Sequence, residues 1–350
     1  MTAPAVSVIM PAYNGAAWIG ETIESVLAQS FTDFELVIVD DCSTDRTWQV
    51  LQGYSDPRIR CFRAEANGGP VRTRNLAFAE ARGRYIVGLD QDDLCTADRF
   101  ARQVAFLEAN PDVVLVASEC RLLRDGQLQP WPGEEPTTPR AIDWMLMVGN
   151  PLPWSSVMFR AGAARRLDPF ERQDVLYAED FDLYHRLRAF GRIARIDSPL
   201  LFYRCHEGGA SKRFEEIMCA SAAKVLAGRY AAIFGESADQ AAGLVVEHLM
   251  HGQPVPDLAT LAELLGIVAT LNRHFLEEGA PDAQTAAIID REYTRIWWKL
   301  VRPAMRHGKL RLRDVAQLRP PGVRLPWRQP DWLVSSMVGM ARRWKTAAAR

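Results

Sequence analysis

Short apolar runs alternate with amphipathic segments along the first hundred residues. The runs predict buried strands, and the segments, whose apolar residues recur every three or four positions, predict helices. The predicted strands are 6–10, 34–39, 59–63 and 85–89; the predicted helices include 44–54, one from about Pro70 to before Gly83, and one carrying Phe100, Val104 and Leu107. This alternation is typical of an α/β domain with a mainly parallel sheet and helices on both faces.

The pattern loosens after Pro111. We expect strands at 113–118, 155–160 and 193–203, helices at 142–148 and 180–190, and a loop at 127–139, which is rich in proline, glycine and acids. From Phe214 onward alanine and leucine dominate and the strand signals stop, which predicts a helical appendage. The expected regions are therefore 1–110, 111–213 and 214–350.

Acidic residues follow two of the predicted strands. The pair Asp40-Asp41 comes after the second strand, and the run 90–93, with three aspartates, comes after the fourth. In an open α/β sheet, ligands bind where strands end. Clustered carboxylates favour hard divalent ions such as Mg²⁺ or Mn²⁺, which usually complete their shell with substrate phosphate. The pattern predicts a metal-assisted site for a nucleoside diphosphate.

Several motifs in a fixed order carry a resemblance to glycosyltransferase family 2, of the GT-A fold. They are the segments 6–14, 25–31, 39–41, 67–69, 74–75 and 90–93, with further landmarks to about Ser211. The resemblance implies a GT-A-type open sheet flanked by helices, a nucleotide-sugar donor, a divalent Mn²⁺ or Mg²⁺ ion and inversion at the transferred sugar. A lone Asp-X-Asp motif would carry much less weight.

The resemblance implies a donor crevice at the ends of the first two strands. Asp41 would bind the base or ribose with support from Asp40, and Pro11, Tyr13 and Asn14 would line the same crevice, with the tyrosine ring stacked on the base. The alternative is that the aspartates cap the next helix. Tyr13 would then be an ordinary turn residue.

The Asp90-Gln91-Asp92 run matches the family's Asp-X-Asp motif. The resemblance assigns Asp92 to the metal and Asp90 to the sugar or ribose. Alternatively, these acids cap the helix expected near Ala97, although three acids in four residues exceed what capping needs. A bound ion would neutralise charge on the departing diphosphate.

A glycine-rich turn precedes this motif. Asn67, Gly68 and Arg74 surround a helix start, where glycine permits close backbone approach and the helix N-terminus attracts phosphate. The resemblance therefore places them at the donor. Glycine turns before helices are common, so this signal is weak by itself.

Two later segments complete the expected site. Asp180, after Glu179, matches the family's general base for the acceptor hydroxyl; alternatively both acids merely favour a helix N-terminus. Arg204 and His206 match a basic-X-His element on a loop over the diphosphate and metal, although a lone loop histidine is usually just solvated.

The net charge of −1 conceals an asymmetry. From Arg291 onward there are 15 Lys/Arg against 3 Asp/Glu, a net charge of +12, whereas the preceding residues carry 27 against 40. This basic tail also contains Trp297, Trp298, Trp327, Trp332 and Trp344. It predicts either peripheral association with an anionic membrane or packing against the acidic body. No nucleic-acid-binding motif accompanies it.

The six cysteines show no C-x-x-C spacing, which indicates reduced thiols in a cytosolic chain. The N-terminus shows no signal-peptide pattern, and no run reaches the roughly 18 uninterrupted apolar residues of a membrane span. We expect a cytoplasmic chain, peripheral on the inner face of the cytoplasmic membrane if the tail binds lipid.

The expected function is that of an inverting, metal-dependent glycosyltransferase of the hexosyl type. It would use a UDP-sugar and a glycan or lipid-linked acceptor in bacterial cell-surface polysaccharide synthesis. A processive synthase is disfavoured because no Gln-X-X-Arg-Trp motif occurs, and a dinucleotide oxidoreductase because no Gly-X-Gly-X-X-Gly turn follows the first strand. A non-catalytic nucleotide-sugar-binding or scaffold protein acting through its basic tail stays open.

Overall fold

The computed structural model describes residues 3–132, 135–206 and 213–320, together with positions 323, 335, 337, 338 and 340. The chain divides into two compact units. The first comprises Met1–Pro139 and Asn150–Ser221, and the second comprises Arg140–Gly149 and Ala222–Arg350. The resemblance also implies that residues 1–110 bind the nucleotide sugar and residues 111–213 bind the acceptor, and this division stays a prediction.

The first unit is built on a mixed nine-stranded sheet in the described part of the chain. Its strands are β1 (Val6–Ala12), β2 (Phe34–Asp40), β3 (Ile59–Arg63), β4 (Tyr85–Gly88), β5 (Leu94–Cys95), β6 (Val113–Arg124), β7 (Gln127–Pro130), β8 (Met158–Arg160) and β9 (Arg192–Arg204). The order is β3-β2-β1-β4-β8-β6-β9-β5, with β7 paired to β6. The first four strands are parallel, and β8 is antiparallel to both β4 and β6.

Six helices accompany this sheet in the described residues of the first unit. They are α1 (Ile19–Leu27), α2 (Thr47–Gln52), α3 (Gly69–Glu80), α4 (Arg99–Ala109), α6 (Ala161–Ala164) and α7 (Glu179–Leu187); α5 (Pro139–Leu146) falls almost wholly in the second unit. Strands β1 and β2 are buried nearly throughout, as expected for parallel strands covered on both faces. Their apolar runs therefore form the core of the unit.

The strand register gathers the predicted site residues at one edge of the sheet. Ala12 on β1 lies opposite Asp40 on β2, and the amide of Leu89, just beyond β4, donates to the carbonyl of Ile9. Because these strands are parallel, the segments after β1, β2 and β4 leave the sheet on the same side. The two acidic segments therefore face one crevice.

Three sequence predictions of local structure were wrong in detail. The helix predicted at 44–54 begins only at Thr47, since the side chain of Asn14 holds residues 44 and 45 in a loop. The segment 127–139 contains β7, which an Asp125-Gly126 hairpin turn with both φ angles positive joins to β6. Within 155–160 only Met158–Arg160 is a strand, because a 3₁₀ turn at Trp154–Ser156 precedes it.

The second unit is helical, as the alanine- and leucine-rich sequence predicts. Its helices after α5 are α8 (Glu215–Phe234), which begins in the first unit and enters the second at Ala222, α9 (Ala238–Leu244), α10 (Leu258–Glu277), α11 (Ala283–Arg306) and α12 (Leu312–Gln317). Asp257 and Asp282 cap α10 and α11 by accepting bonds from the third following amide. By length and composition, one stretch in the described residues, Glu215–Met250, could cross a membrane.

Two of the five tail tryptophans are described, and both pack within this unit. Trp297 on α11 is 2% exposed, and its ring meets that of Trp298 edge-on at 4.6 Å. Trp327, Trp332 and Trp344 lie outside the described residues. Packing therefore accounts for the first two tryptophans.

Candidate active site

Asn14 organises the loop after β2. Its backbone has a φ of 49°, and its side-chain oxygen accepts bonds from the amides of Thr44 and Asp45 at 2.9 and 3.3 Å. The hydroxyl of Ser43 in turn accepts a bond from the Asn14 amide at 3.0 Å. Ser43 and Asn14 therefore fix this side of the crevice.

The carboxylate of Asp41 connects the β2 loop to α3. Its two oxygens accept bonds from the amides of Gly68 and Gly69, each at 2.8 Å, and the side chain of Asn67 donates to the Asp41 carbonyl at 3.1 Å. The helix N-terminus, expected to attract phosphate, therefore meets a protein carboxylate. The neighbouring Asp40 is fully buried and forms an ion pair with Arg63 at 3.2 Å.

Tyr13 and Gln91 bind each other in both directions. The Tyr13 amide donates to the side-chain oxygen of Gln91 at 3.0 Å, and the Gln91 side-chain nitrogen donates to the Tyr13 carbonyl at 2.9 Å. Gly15 leaves room for this contact, because a Cβ there would collide with the Gln91 amide. Tyr13 remains 42% exposed just beyond Pro11, so its ring is accessible at the crevice.

Asp92 lies beside His206. Its carboxylate is 2.8 Å from the imidazole Nε2, and its carbonyl accepts a bond from the Arg204 side chain at 2.8 Å. Burial and the nearby charge of Asp90 raise the pKa of Asp92, although His206 opposes this shift. The segment after β9 thus meets the loop after β4.

Trp18 supports both basic residues of that segment. The guanidinium of Arg204 lies 4.6 Å from the Trp18 ring centroid, and the His206 ring lies 5.7 Å away. Arg204 also pairs with Glu21 on α1 at 2.6 Å, while its amide donates to the buried carboxylate of Asp93. Burial, together with Asp92 and Asp90, raises the pKa of Asp93 well above its usual value.

Arg74 lies on the other side of the same loop, surrounded by acids. Its guanidinium bonds Asp90 at 3.0 Å and Glu179 at 2.5 Å, and it lies 3.8 Å from Glu171. Its side chain is 9% exposed, and it stacks over Trp154 at 4.7 Å. Burial lowers the pKa of Arg74. The charges of four nearby acids outweigh this effect and raise its pKa above the usual value; they are Glu171, Asp90, Glu179 and Asp180.

Asp180 lies in the first turn of α7, immediately after Glu179. One carboxylate oxygen accepts a bond from Asn150 at 3.0 Å, and the other accepts the Phe181 amide at 2.7 Å. Burial and the charge of Glu179 raise the pKa of Asp180 to about 7, against the opposing effect of Arg74. A carboxylate with this pKa can take up a proton near neutral pH.

The structure also brings in residues that the sequence did not single out. Glu171 is fully buried near Arg74, while Gln91, Asn150 and Trp18 hold the predicted residues in place. Gln91 stood in the variable position of Asp-X-Asp, and Asn150 stood in a proline-rich turn. No sequence pattern marked Glu171 as buried, because its loop has neither helical nor strand periodicity.

The donor atoms present suit a hard or intermediate divalent ion. A carboxylate and an imidazole lie side by side at Asp92 and His206, and such ligands accept Mg²⁺ or Mn²⁺. Within the described ranges, no three His, Cys, Asp or Glu side chains form a ready-made metal cage. An ion here would therefore need oxygen atoms from a substrate, as Mg²⁺ sites with one or two carboxylates commonly do.

Sequence comparison identifies the class of protein. Residues 7–144 match the family model described as Glycosyl transferase family 2. WfaP of Escherichia coli, described as UDP-Glc:alpha-D-GlcNAc-diphosphoundecaprenol beta-1,3-glucosyltransferase, is 30% identical over 217 residues, covering 61% of this chain and 82% of WfaP. The chain belongs to glycosyltransferase family 2.

A second relative matches more closely over a shorter region. TuaG of Bacillus subtilis, described as a putative teichuronic acid biosynthesis glycosyltransferase, is 45% identical over 106 residues. These residues make up 30% of this chain and 42% of TuaG. The match thus spans less than half the length of that relative.

Solved structures share the fold. Staphylococcus aureus TarS 1–349 in complex with UDP-GlcNAc superposes with a TM-score of 0.53 and 19% identity, covering 97% of this chain and 92% of the TarS 1–349 chain. A mannosyltransferase from Pyrobaculum calidifontis, in complex with GDP-Man and Mn²⁺, superposes with a TM-score of 0.51 and 18% identity, covering 99% and 88%. The predicted GT-A-type α/β fold with C-terminal helices is confirmed.

Proposed function

We propose that this protein transfers a sugar from a nucleoside-diphosphate donor to an acceptor hydroxyl, with inversion at the anomeric carbon. The observation that carries the proposal is the position of Asp180. Its carboxylate, with a pKa near 7, is connected through Glu179 and Arg74 to Asp90 in the loop after β4. A candidate base and the donor-side acids thus belong to one site.

Asp180 would act as the general base. It would take the proton from the acceptor hydroxyl as the oxygen attacks the anomeric carbon, and the nucleoside diphosphate would leave on the opposite side. A single displacement of this kind inverts the anomeric configuration. Asn150, which donates to one oxygen of Asp180, would keep that carboxylate oriented toward the acceptor.

The donor would lie in the crevice formed by the ends of β1, β2 and β4. The exposed ring of Tyr13 is suited to stacking on a base. Asp41, Asn67 and Gly68 form the adjacent wall, where an oxygen of the Asp41 carboxylate can still accept a bond from a ribose or base. Arg204 and His206 would contact the diphosphate side.

Asp92 and His206 would hold a divalent Mg²⁺ or Mn²⁺ ion. When bound, the ion supplies positive charge that stabilises the departing diphosphate. Asp92→Ala is therefore expected to abolish the divalent-dependent part of donor binding while the fold stays intact. Calorimetry with and without Mn²⁺ measures this. Asp98→Asn, at the start of α4, is the control, and unchanged metal-dependent affinity in Asp92→Ala would contradict the assignment.

A UDP-sugar and a surface-glycan acceptor are the substrates we propose. The support is that WfaP is named for UDP-Glc and a diphosphoundecaprenol acceptor, and that the TarS structure holds UDP-GlcNAc. Bacterial cell-surface polysaccharide synthesis is the corresponding role. We also propose a cytoplasmic location with peripheral membrane contact through the basic tail, where a lipid-linked acceptor would be presented.

A donor screen tests the proposal directly. Purified protein is incubated with UDP-, GDP- and TDP-sugars, Mn²⁺ or Mg²⁺, and short lipid-linked or free sugar acceptors, and released nucleoside diphosphate is measured. We expect metal-dependent release with at least one donor, abolished in Asp180→Asn. Donor binding without release under any condition would instead favour the non-catalytic binding or scaffold protein.

A further inference from the structure

The two terminal nitrogens of the Arg74 guanidinium bind protein carboxylates. One terminal nitrogen bonds Asp90 at 3.0 Å, and the other bonds Glu179 at 2.5 Å and approaches Glu171 at 3.8 Å. Its face lies on the Trp154 ring at 4.7 Å. Arg74 thus binds protein acids in this structure, and its predicted contact with the donor stays a prediction.

The surroundings of Arg74 are rigidly held. Trp154 packs so closely over β4 that a Cβ at Gly88 would lie 2.6 Å from its ring. Asn75, the next residue on α3, binds the main chain of Glu171 in both directions, each bond being 2.9 Å. The loop that carries Glu171 is thereby fixed beside Arg74. This double attachment places the arginine between three separate segments of the chain.

Four carboxylates lie around Arg74, and that of Asp180 is one of them. Glu179 precedes Asp180 on α7, Glu171 lies in the preceding loop, and Asp90 lies in the loop after β4. Asn150 donates to Asp180, and the buried hydroxyl of Tyr184 lies one turn further along α7. Arg74 is the cation that the described structure places among these carboxylates. Burial and the negative charge of Glu179 favour the protonated form of Asp180, and Arg74 opposes them.

We propose that Arg74 is a positioning residue of the glycosyl-transfer site, which joins the donor-side Asp90 to Glu179 and supplies the positive charge that lets Asp180 ionise. This inference rests on the proposed function for its catalytic meaning. Its electrostatic part concerns the free protein alone. Arg74 thus acts through the carboxylates and not on the donor itself.

The sign of each contribution follows from the charges. Arg74 favours the ionised form of Asp180 and lowers its pKa, whereas the negative charge of Glu179 raises it. Removing the arginine should therefore make Asp180 a poorer proton acceptor at pH 7. Neutralising Glu179 should have the opposite effect on Asp180. A merely structural ion pair predicts no such opposed shifts.

The experiment is a titration of Asp180 by carbon NMR in the full chain labelled at aspartate carboxyls, with the signal assigned from Asp180→Asn. We expect Arg74→Met to raise the Asp180 midpoint by about one unit or more, and Glu179→Gln to lower it, because a nearby positive charge favours the ionised carboxylate and a nearby negative charge disfavours it. The acidic limb of the kcat profile should move in the same directions. Turnover of Arg74→Met should therefore recover at higher pH.

Two further variants separate this role from folding. Arg74→Lys keeps the charge but cannot bridge both acids, so it should leave the midpoint near that of the parent while lowering turnover. Arg74→Lys also replaces Arg74→Met in the test if Arg74→Met does not fold. Arg60→Met is the matched control, because Arg60 on β3 pairs with Glu35 and Glu80 at 2.9 and 2.7 Å. It should lower the melting temperature without moving the Asp180 midpoint.

The outcomes distinguish the two proposals. An Asp180 midpoint that stays unchanged in both Arg74→Met and Glu179→Gln overturns the role of Arg74, whatever the activity. If Arg74→Met does not fold, Arg74→Lys provides the test. An Asp180 midpoint in Arg74→Lys that rises by about one unit or more, although the positive charge is kept, also overturns the role of Arg74. A protein that shows no transfer with any donor, but does show the opposed shifts, refutes the proposed function and retains the electrostatic role.

Discussion

Asp180 must satisfy two opposing requirements at the scale of a single residue. It needs its negative charge to accept a proton, but its surroundings at the start of α7 disfavour that charge. A base with an ordinary carboxylate pKa would be ionised but weakly basic at neutral pH. The raised pKa makes it a stronger proton acceptor that is still about half ionised near pH 7.

Asp180→Asn is expected to lower turnover by about 10²-fold or more, because only the proton acceptor is lost. Donor affinity should stay nearly unchanged, which calorimetry can measure. Asp182→Asn is the control on the same helix, since Asp182 pairs with Arg172 and Arg186 and should affect stability instead. A defect confined to donor affinity would remove Asp180 from the role of base.

The same residue should make stability depend on pH. Because the folded pKa is raised from 3.8 to about 7, the folded state binds the proton more tightly than the unfolded state. The contribution of Asp180 to the free energy of unfolding is therefore fully present below about pH 4 and is lost as the pH rises through 7. Asp180→Asn should melt higher than the parent at pH 8, with the difference vanishing near pH 4. Calorimetric scans at both pH values check this, and equal melting temperatures at pH 8 would contradict it.

At the scale of secondary structure, the parallel strands were predictable because buried strands have continuous apolar sequences. The start of α2 was not, because the bonds that Asn14 makes to residues 44 and 45 come from thirty positions away. In the candidate site, too, residues marked by local sequence were predictable and those that depend on distant contacts were not. Sequence motifs singled out Asp92 and His206, which lie side by side in the structure, but the burial of Glu171 depends on how its loop packs, which local sequence does not encode.

Gly88, at the end of β4, leaves the space that the Trp154 ring occupies. A Cβ there would meet the Trp154 ring at 2.6 Å, so Gly88→Ala should destabilise the first unit by about 1–3 kcal/mol and lower turnover by moving the ring under Arg74. Gly162→Ala in α6 is the matched control, because a Cβ there meets nothing within 4 Å. Chemical denaturation compares the two. Equal effects would show that the contact with Trp154 is unimportant.

At the scale of the whole molecule, charge is separated along the chain. The basic tail carries +12, and its described part includes exposed cations at Arg306, Lys309, Arg311 and Arg313. Trp297 is buried, so it cannot serve as a membrane anchor without unfolding. Any attraction to lipid from the described tail should therefore come mainly from its cations.

Sedimentation with phosphatidylglycerol vesicles is expected to recover the protein at low salt and to recover less as salt rises. Each Lys/Arg near anionic lipid contributes about 1 kcal/mol, and screening shortens to about 8 Å at 0.15 M salt. The double change Arg306→Glu with Lys309→Glu should weaken recovery. Arg82→Glu with Arg84→Glu, outside the tail, is the matched control. Equal recovery on neutral and anionic vesicles would refute membrane binding through charge.

The paired bonds between Tyr13 and Gln91 have a consequence for how such a chain can diverge. Gly15 and Gln91 occupy adjoining space, and any side chain at position 15 would displace the amide that holds Tyr13. A lineage could therefore replace Gly15 without harm after residue 91 had shortened, but not before. The order in which the two substitutions arise is therefore constrained, and a descendant that has replaced Gly15 should also have a shorter residue at position 91.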